Sequence, residues 1–200
     1  MAEKKYVYSF KEAHAAHLGK DVLGGKGAGL CEMTAAGVNI PAGFTITTDA
    51  CTLYYDSGKK IPDFVWDDIV KHLHEVEKVD GKTFGAKEGM PLLVSVRSGA
   101  RQSMPGMMDT ILNLGLNDDS VLALAKATGN ERFAYDSYRR FMLMFTNIAK
   151  GHPRTEMDKM LDDLKEKNGY KLDTQVTVDQ LKTLVAAYKK YYKGVFNEDF

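Results

Sequence analysis

Two stretches of this chain combine residue types that bind phosphate. Residues 22–33, "VLGGKGAGLCEM", put four glycines and Lys26 into eight positions just ahead of an apolar run. Gly24, Gly25 and Gly27 let a backbone approach a ligand closely and point successive N–H groups at it. A helix that follows would present its positive N-terminal end, and Lys26 would add a mobile point charge. Neither familiar phosphate template fits the wording. A Walker loop needs a glycine where Lys20 stands and a hydroxyl where Gly27 stands, and the dinucleotide fingerprint needs a third glycine where Leu30 stands. The alternative for these residues is a strand-to-helix turn with a solvent-exposed lysine.

The second stretch, residues 92–116, reads "LLVSVRSGARQSMPGMMDTILNLGL". Arg97 follows an apolar strand, where a guanidinium is costly unless it meets an anion. Arg101 comes four residues later, so both planar forks could converge on one polyphosphate. Ser98, Ser103 and Thr110 add hydroxyl donors, and "MPGMM" supplies a stiff turn whose methionines could pack beside a flat base. The competing arrangement pairs Arg97 with a carboxylate at the strand end and buries the methionines.

Bulk composition narrows the partners. Twenty-seven basic residues balance twenty-seven acidic ones among 200, so no general field draws nucleic acid or an anionic membrane. The 44% hydrophobic content suits one domain, or one with a satellite. Cys31 and Cys51 are too few for a disulfide framework or a cysteine zinc site and are expected reduced in a core, in a cytosol-like compartment. No apolar run has the length of a membrane span, and "MAEKKYVYSF" lacks a secretory block. The closing "YYKGVFNEDF" ends without a breaker, which suggests a polypeptide that continues.

The elements that must position these cations read as follows. "KYVYSF" alternates as a strand. A helix is expected from about Ala28 to near Gly37. "AGFTITT" is a short strand, after which Thr48 could cap a helix stopping at Gly58. Ile69, Leu73 and Val76 share a face of a helix on which His72 and His74 would be solvated. "PLLVSVRS" is expected as a buried strand beside "DTILNLGL". From Asp118 onward the pattern is helical. Tyr138, Phe141, Met142, Phe145 and Ile148 keep one buried rhythm. Thr155 opens a helix with Met157, Met160, Leu161 and Leu164, and the capping box "TVDQ" at 177–180 precedes Leu181, Leu184, Val185 and Tyr188.

"LGGKGAGLCEMT", "VNIPAGFTITTDAC", "LLVSVRSGARQSMPGMMDTILNLGLND" and "NERFAYDSYRRFM", in this order, resemble the N-terminus of the pyruvate, phosphate dikinase family across essentially the whole chain. The resemblance implies an α+β fold: an ATP-grasp-type N-terminal nucleotide-binding subdomain over residues 1–117, and a mainly helical part of the same domain over residues 118–200. It implies an enzyme that turns ATP, phosphate and pyruvate into AMP, pyrophosphate and phosphoenolpyruvate through a phosphorylated histidine. By the same resemblance Lys26 contacts ATP phosphates and Arg97 stabilises the transferred phosphoryl group. Arg101 binds ATP, and Gly106 and Met108 belong to a loop closing over the nucleotide. Magnesium ligands would lie beyond residue 200, as would the phosphohistidine domain, and the full-length family enzyme implies a cytoplasmic homodimer. None of His14, His17, His72, His74 and His152 matches a phosphohistidine motif, and the 200 residues alone are expected to lack dikinase activity. The rivals are a phosphoenolpyruvate synthase-like dikinase, a rifampicin-type phosphotransferase, and a non-catalytic nucleotide-binding module.

Overall fold

A computed structural model of the chain describes residues 4–99 and 109–200. They fall into two compact units, one containing the residues up to Gly81 together with Ser98 and Gly99, and one containing Lys82–Arg97 and Asp109–Phe200. Their described residues are α+β in content, helices with small two-stranded sheets.

In the first unit β1 (Val7–Ser9) pairs antiparallel with β2 (Phe44–Ile46). The expected strand stops one residue early because Ser9 caps a helix, α1 (Phe10–Ala15). Ser9 Oγ accepts from the Glu12 N–H at 3.2 Å while Glu12 Oε2 accepts from the Ser9 N–H at 2.9 Å, a reciprocal capping box. α2 (Lys20–Ala35) packs on α1 through Ala13, Leu23, Ala28 and Cys31, with Tyr8, Phe10 and Leu18 around them. α3 (Thr48–Asp56) follows. Thr48 does not cap it: Thr47 holds that position, and Thr48 Oγ1 donates to the Asp21 carbonyl at 2.6 Å, tying α3 to the start of α2. Cys51 is exposed, not in a core, whereas Cys31 is buried.

α4 (Asp63–Asp80) ends at Gly81 in the left-handed conformation. Its inward stripe is Val65, Ile69, His72 and Val76, at helical spacing. His72 is therefore buried rather than solvated, 2% exposed, with Nδ1 2.7 Å from the Asp68 carbonyl and Nε2 3.1 Å from Glu12 Oε2. A buried imidazole is tolerable here because both ring nitrogens meet partners. His74, on the other face, is exposed.

In the second unit β3 (Thr83–Phe84) pairs parallel with β4 (Pro91–Leu92), and β5 (Val94–Arg97) antiparallel with β6 (Thr110–Leu114). The expected single buried strand over 91–98 is thus broken at Leu93, and Ser95, Val96 and Arg97 are exposed. Among the described residues β5 bonds only to β6, so packing covers one face and one edge at most.

Behind this ribbon lie α5 (Asp118–Thr128), α6 (Glu131–Met144), a π-helical turn (Phe145–Ala149), α7 (Thr155–Asn168) and α8 (Val178–Phe196). The expected stripes fill one core: Tyr138, Phe141, Met142, Met157, Leu161, Leu181, Leu184, Val185 and Tyr188 are buried together, and Ile111 of β6 joins them. Through Ile111, β6 shares the core of these helices, and both lie in the second unit. The Thr177–Gln180 capping box forms as read. α6 also carries a buried charge, Arg139, which meets Asp136 at 2.8 Å and Asp173 at 2.9 Å. Asp173 also accepts from Lys165 at 3.0 Å. Burial pushes the Asp173 carboxyl up, but Lys165 and Arg139 outweigh it and hold it below its ordinary value.

Candidate functional site

The glycine-rich stretch is helical from Lys20, not a loop preceding a helix at Ala28. Its helix breaks once, at Gly24, whose φ of 69° and ψ of 167° lie outside helical space. That positive φ favours glycine. Gly25, Lys26 and Gly27 consequently form the first turn of the helical stretch running to Ala35, where backbone N–H groups lack carbonyls one turn earlier in regular register. Gly27 has a second constraint. A Cβ there would lie 3.0 Å from Thr45 Cγ2 and Oγ1 and 3.3 Å from Leu23 Cβ, so a larger residue would force these side chains to give by a few tenths of an ångström. Between Gly25 and Gly27, Lys26 is exposed. A lysine on a helix's first turn opposes the macrodipole, an arrangement that gains when an anion sits between the two.

Arg97 closes β5 in the second unit. Its cross-strand partner is Thr110, and its Nε donates to Ser95 Oγ at 3.3 Å. Directly paired residues and residues two apart share one face of a ribbon. Ser95, Arg97 and Thr110 therefore form one polar face, opposite the face on which Val96 pairs with the core residue Ile111. Two hydroxyls beside an exposed guanidinium can jointly donate to phosphoryl oxygens. Ser95 was not singled out from sequence, although its spacing of two from Arg97 was the available signal. Arg101, Gly106 and Met108, with Ser103, lie outside the described residues. Lys26 belongs to the first unit and Arg97 to the second.

Among the described residues no three His, Cys, Asp or Glu side chains cluster as a metal site, so these residues do not fit a self-contained magnesium cage. No helix among them is long and apolar enough to cross a membrane. A groove of the first unit lined by Ile46, Ala50, Cys51, Tyr54, Ile61, Pro62, Val65 and Ile69 has no cationic lining and does not suit a phosphate.

The family described as pyruvate phosphate dikinase, AMP/ATP-binding domain, matches residues 20–81, which run from the start of α2 to the Gly81 cap of α4. Pyruvate, phosphate dikinase of Clostridium symbiosum is 52% identical over 197 residues, 98% of this chain and 22% of that protein. This chain is homologous to the N-terminal region of the pyruvate, phosphate dikinases. The Entamoeba histolytica dikinase is 51% identical over 92% of the chain and 20% of its own length. The maize protein named pyruvate, phosphate dikinase 1, chloroplastic, is 50% identical over 90% and 19%. The chain thus spans about a fifth of the length of the dikinases it matches. The similarity extends past the family match at Gly81 to include the Arg97 ribbon and the C-terminal helices.

Proposed function

We propose that this chain is the ATP-binding part of a pyruvate, phosphate dikinase of ATP-grasp type. The observation that carries the reading is 52% identity across 98% of the chain, with the glycine-rich helix and the arginine ribbon inside the matched region. Phosphoryl transfer asks a protein mainly for positioning and charge neutralisation. The residues available here are of that kind. Lys26, on the first turn after the Gly24 break, binds the ATP phosphates. Arg97, supported by Ser95 and Thr110, neutralises charge on the phosphoryl group as it leaves. Arg101 binds ATP, and Gly106 and Met108 close over it. Residues 1–117 carry these contacts and residues 118–200 are their scaffold. Magnesium, when bound to the nucleotide, neutralises phosphate charge; its protein ligands belong beyond residue 200.

The complete enzyme would phosphorylate a histidine on a further domain and pass that group to pyruvate. It works as a cytoplasmic homodimer, with no nucleic acid or membrane partner. The test is phosphorylation of that histidine by the complete polypeptide with ATP. The dikinase reading expects inorganic phosphate to be required and pyrophosphate to appear. Net formation of phosphoenolpyruvate without inorganic phosphate points to a phosphoenolpyruvate synthase-type enzyme, and ATP binding without any transfer points to a non-catalytic module.

A further inference from the structure

The β5–β6 ribbon is not regular. Val94 pairs with Leu114, but Val96 pairs with Ile111 and Arg97 with Thr110, so one residue of β5 faces two of β6. The extra residue lies at Leu112–Asn113, and Asn113 has φ of 61°, a left-handed conformation that side-chain-bearing residues rarely adopt. Asparagine tolerates it better than most, because its short amide can bond locally. Its carbonyl also accepts from the Leu116 N–H at 3.2 Å, starting the turn toward α5.

What the bulge changes is the neighbour of Arg97. Continued regularly from Val94–Leu114, the ladder would set Val96 opposite Leu112 and Arg97 opposite Ile111. Ile111 would then leave the core for the polar face, because a slip of one residue exchanges the two faces. With the bulge, Ile111 and Leu114, three residues apart, both pack on the same core, and Leu112 is 45% exposed. The residue beside the guanidinium becomes Thr110, a hydroxyl, in place of an isoleucine.

We infer that Asn113 is a positioning residue of the nucleotide site: its left-handed bulge sets the Thr110 hydroxyl beside Arg97, so that the two bind one phosphate group together. This rests on the ATP-binding reading above and adds a residue with no direct ligand contact.

The test is the ATP dissociation constant of the chain with the variants Asn113→Gly, Asn113→Val, Thr110→Val and Arg97→Ala, alone and combined, each with its denaturation midpoint. Glycine accepts positive φ and should retain affinity within about twofold, whereas valine, poorly suited to it, should weaken binding about tenfold. Thr110→Val should cost about the same, and neither change should weaken binding further once Arg97 is alanine. That coupling separates positioning from a general loss of stability, which would add to the Arg97→Ala effect. Should Asn113→Val not fold, Thr110→Val decides, since it leaves the bulge intact. A folded Asn113→Val with unchanged affinity, a Thr110→Val with unchanged affinity, or losses that persist in the Arg97→Ala background overturn the inference. An unaltered chain that does not bind ATP, or an Arg97→Ala variant that binds normally, removes the underlying reading and this inference with it.

Discussion

Arg97→Ala in the complete enzyme should cut histidine phosphorylation by about a hundredfold or more, because a guanidinium that already holds the phosphate in the ground state gains further as charge develops in the transition state. The fold should survive, since Arg97 is exposed and outside the core; single-turnover transfer from labelled ATP, alongside a circular dichroism spectrum, checks both halves. A different residue sets an acid limit on the first unit. Burial pushes the Glu12 carboxyl up, but hydrogen bonds from Lys5, Ser9 and His72 outweigh it and bring it from 4.5 to about 2. A depressed carboxylate adds stability above its unfolded value and loses it as pH falls toward its folded one. Unfolding free energy should therefore drop between about pH 4.5 and 2, and Glu12→Gln should flatten that drop, as denaturant titrations across the window would reveal. An unchanged slope in the variant would place the acid sensitivity elsewhere. Lys26 and Arg97 were singled out in advance by residue type, and both are exposed. Two other residues were not legible that way. Ser95 matters only through the face it shares with Arg97, and His72 only through its place on the Val65–Val76 stripe and a partner sixty positions away.

At the scale of elements, periodic stripes translated directly into helices: Tyr138, Phe141 and Met142 on α6, and Leu181, Leu184, Val185 and Tyr188 on α8, are all buried. The glycine-rich stretch misled because local propensity says loop while packing says helix. Close approach of α2 to β2 at Gly27 outweighs the entropic cost of glycine in a helix, about 0.5–1 kcal/mol each. Two substitutions separate these effects. Gly27→Val should destabilise the chain by about 1–3 kcal/mol through overpacking against Thr45 and Leu23. Gly29→Ala, whose added Cβ would meet nothing within 4 Å, should be neutral or stabilising by up to about 1 kcal/mol. Chemical denaturation of the two variants checks this, and equal destabilisation would refute the close-approach explanation. The strand at 91–98 misled for the converse reason. Its apolar run suggested burial on both faces, but β5 forms a ribbon with one polar face.

For the whole molecule, the α+β class and the helical second half were legible, because each rests on patterns within one element or between neighbours. The core that β6 shares with α6 and α8 was not, because it joins segments far apart in sequence. The central claim is the proposed one for two cations taken separately: the Lys26 ammonium and the Arg97 guanidinium each contribute to ATP affinity. Calorimetric titration of ATP into the chain, Lys26→Ala, Arg97→Ala and the double variant tests it most directly. Each single change should weaken binding about tenfold, as for loss of a charge-assisted hydrogen bond, and the double variant more than either. ATP affinity unchanged in both single variants, with the fold retained, would contradict it.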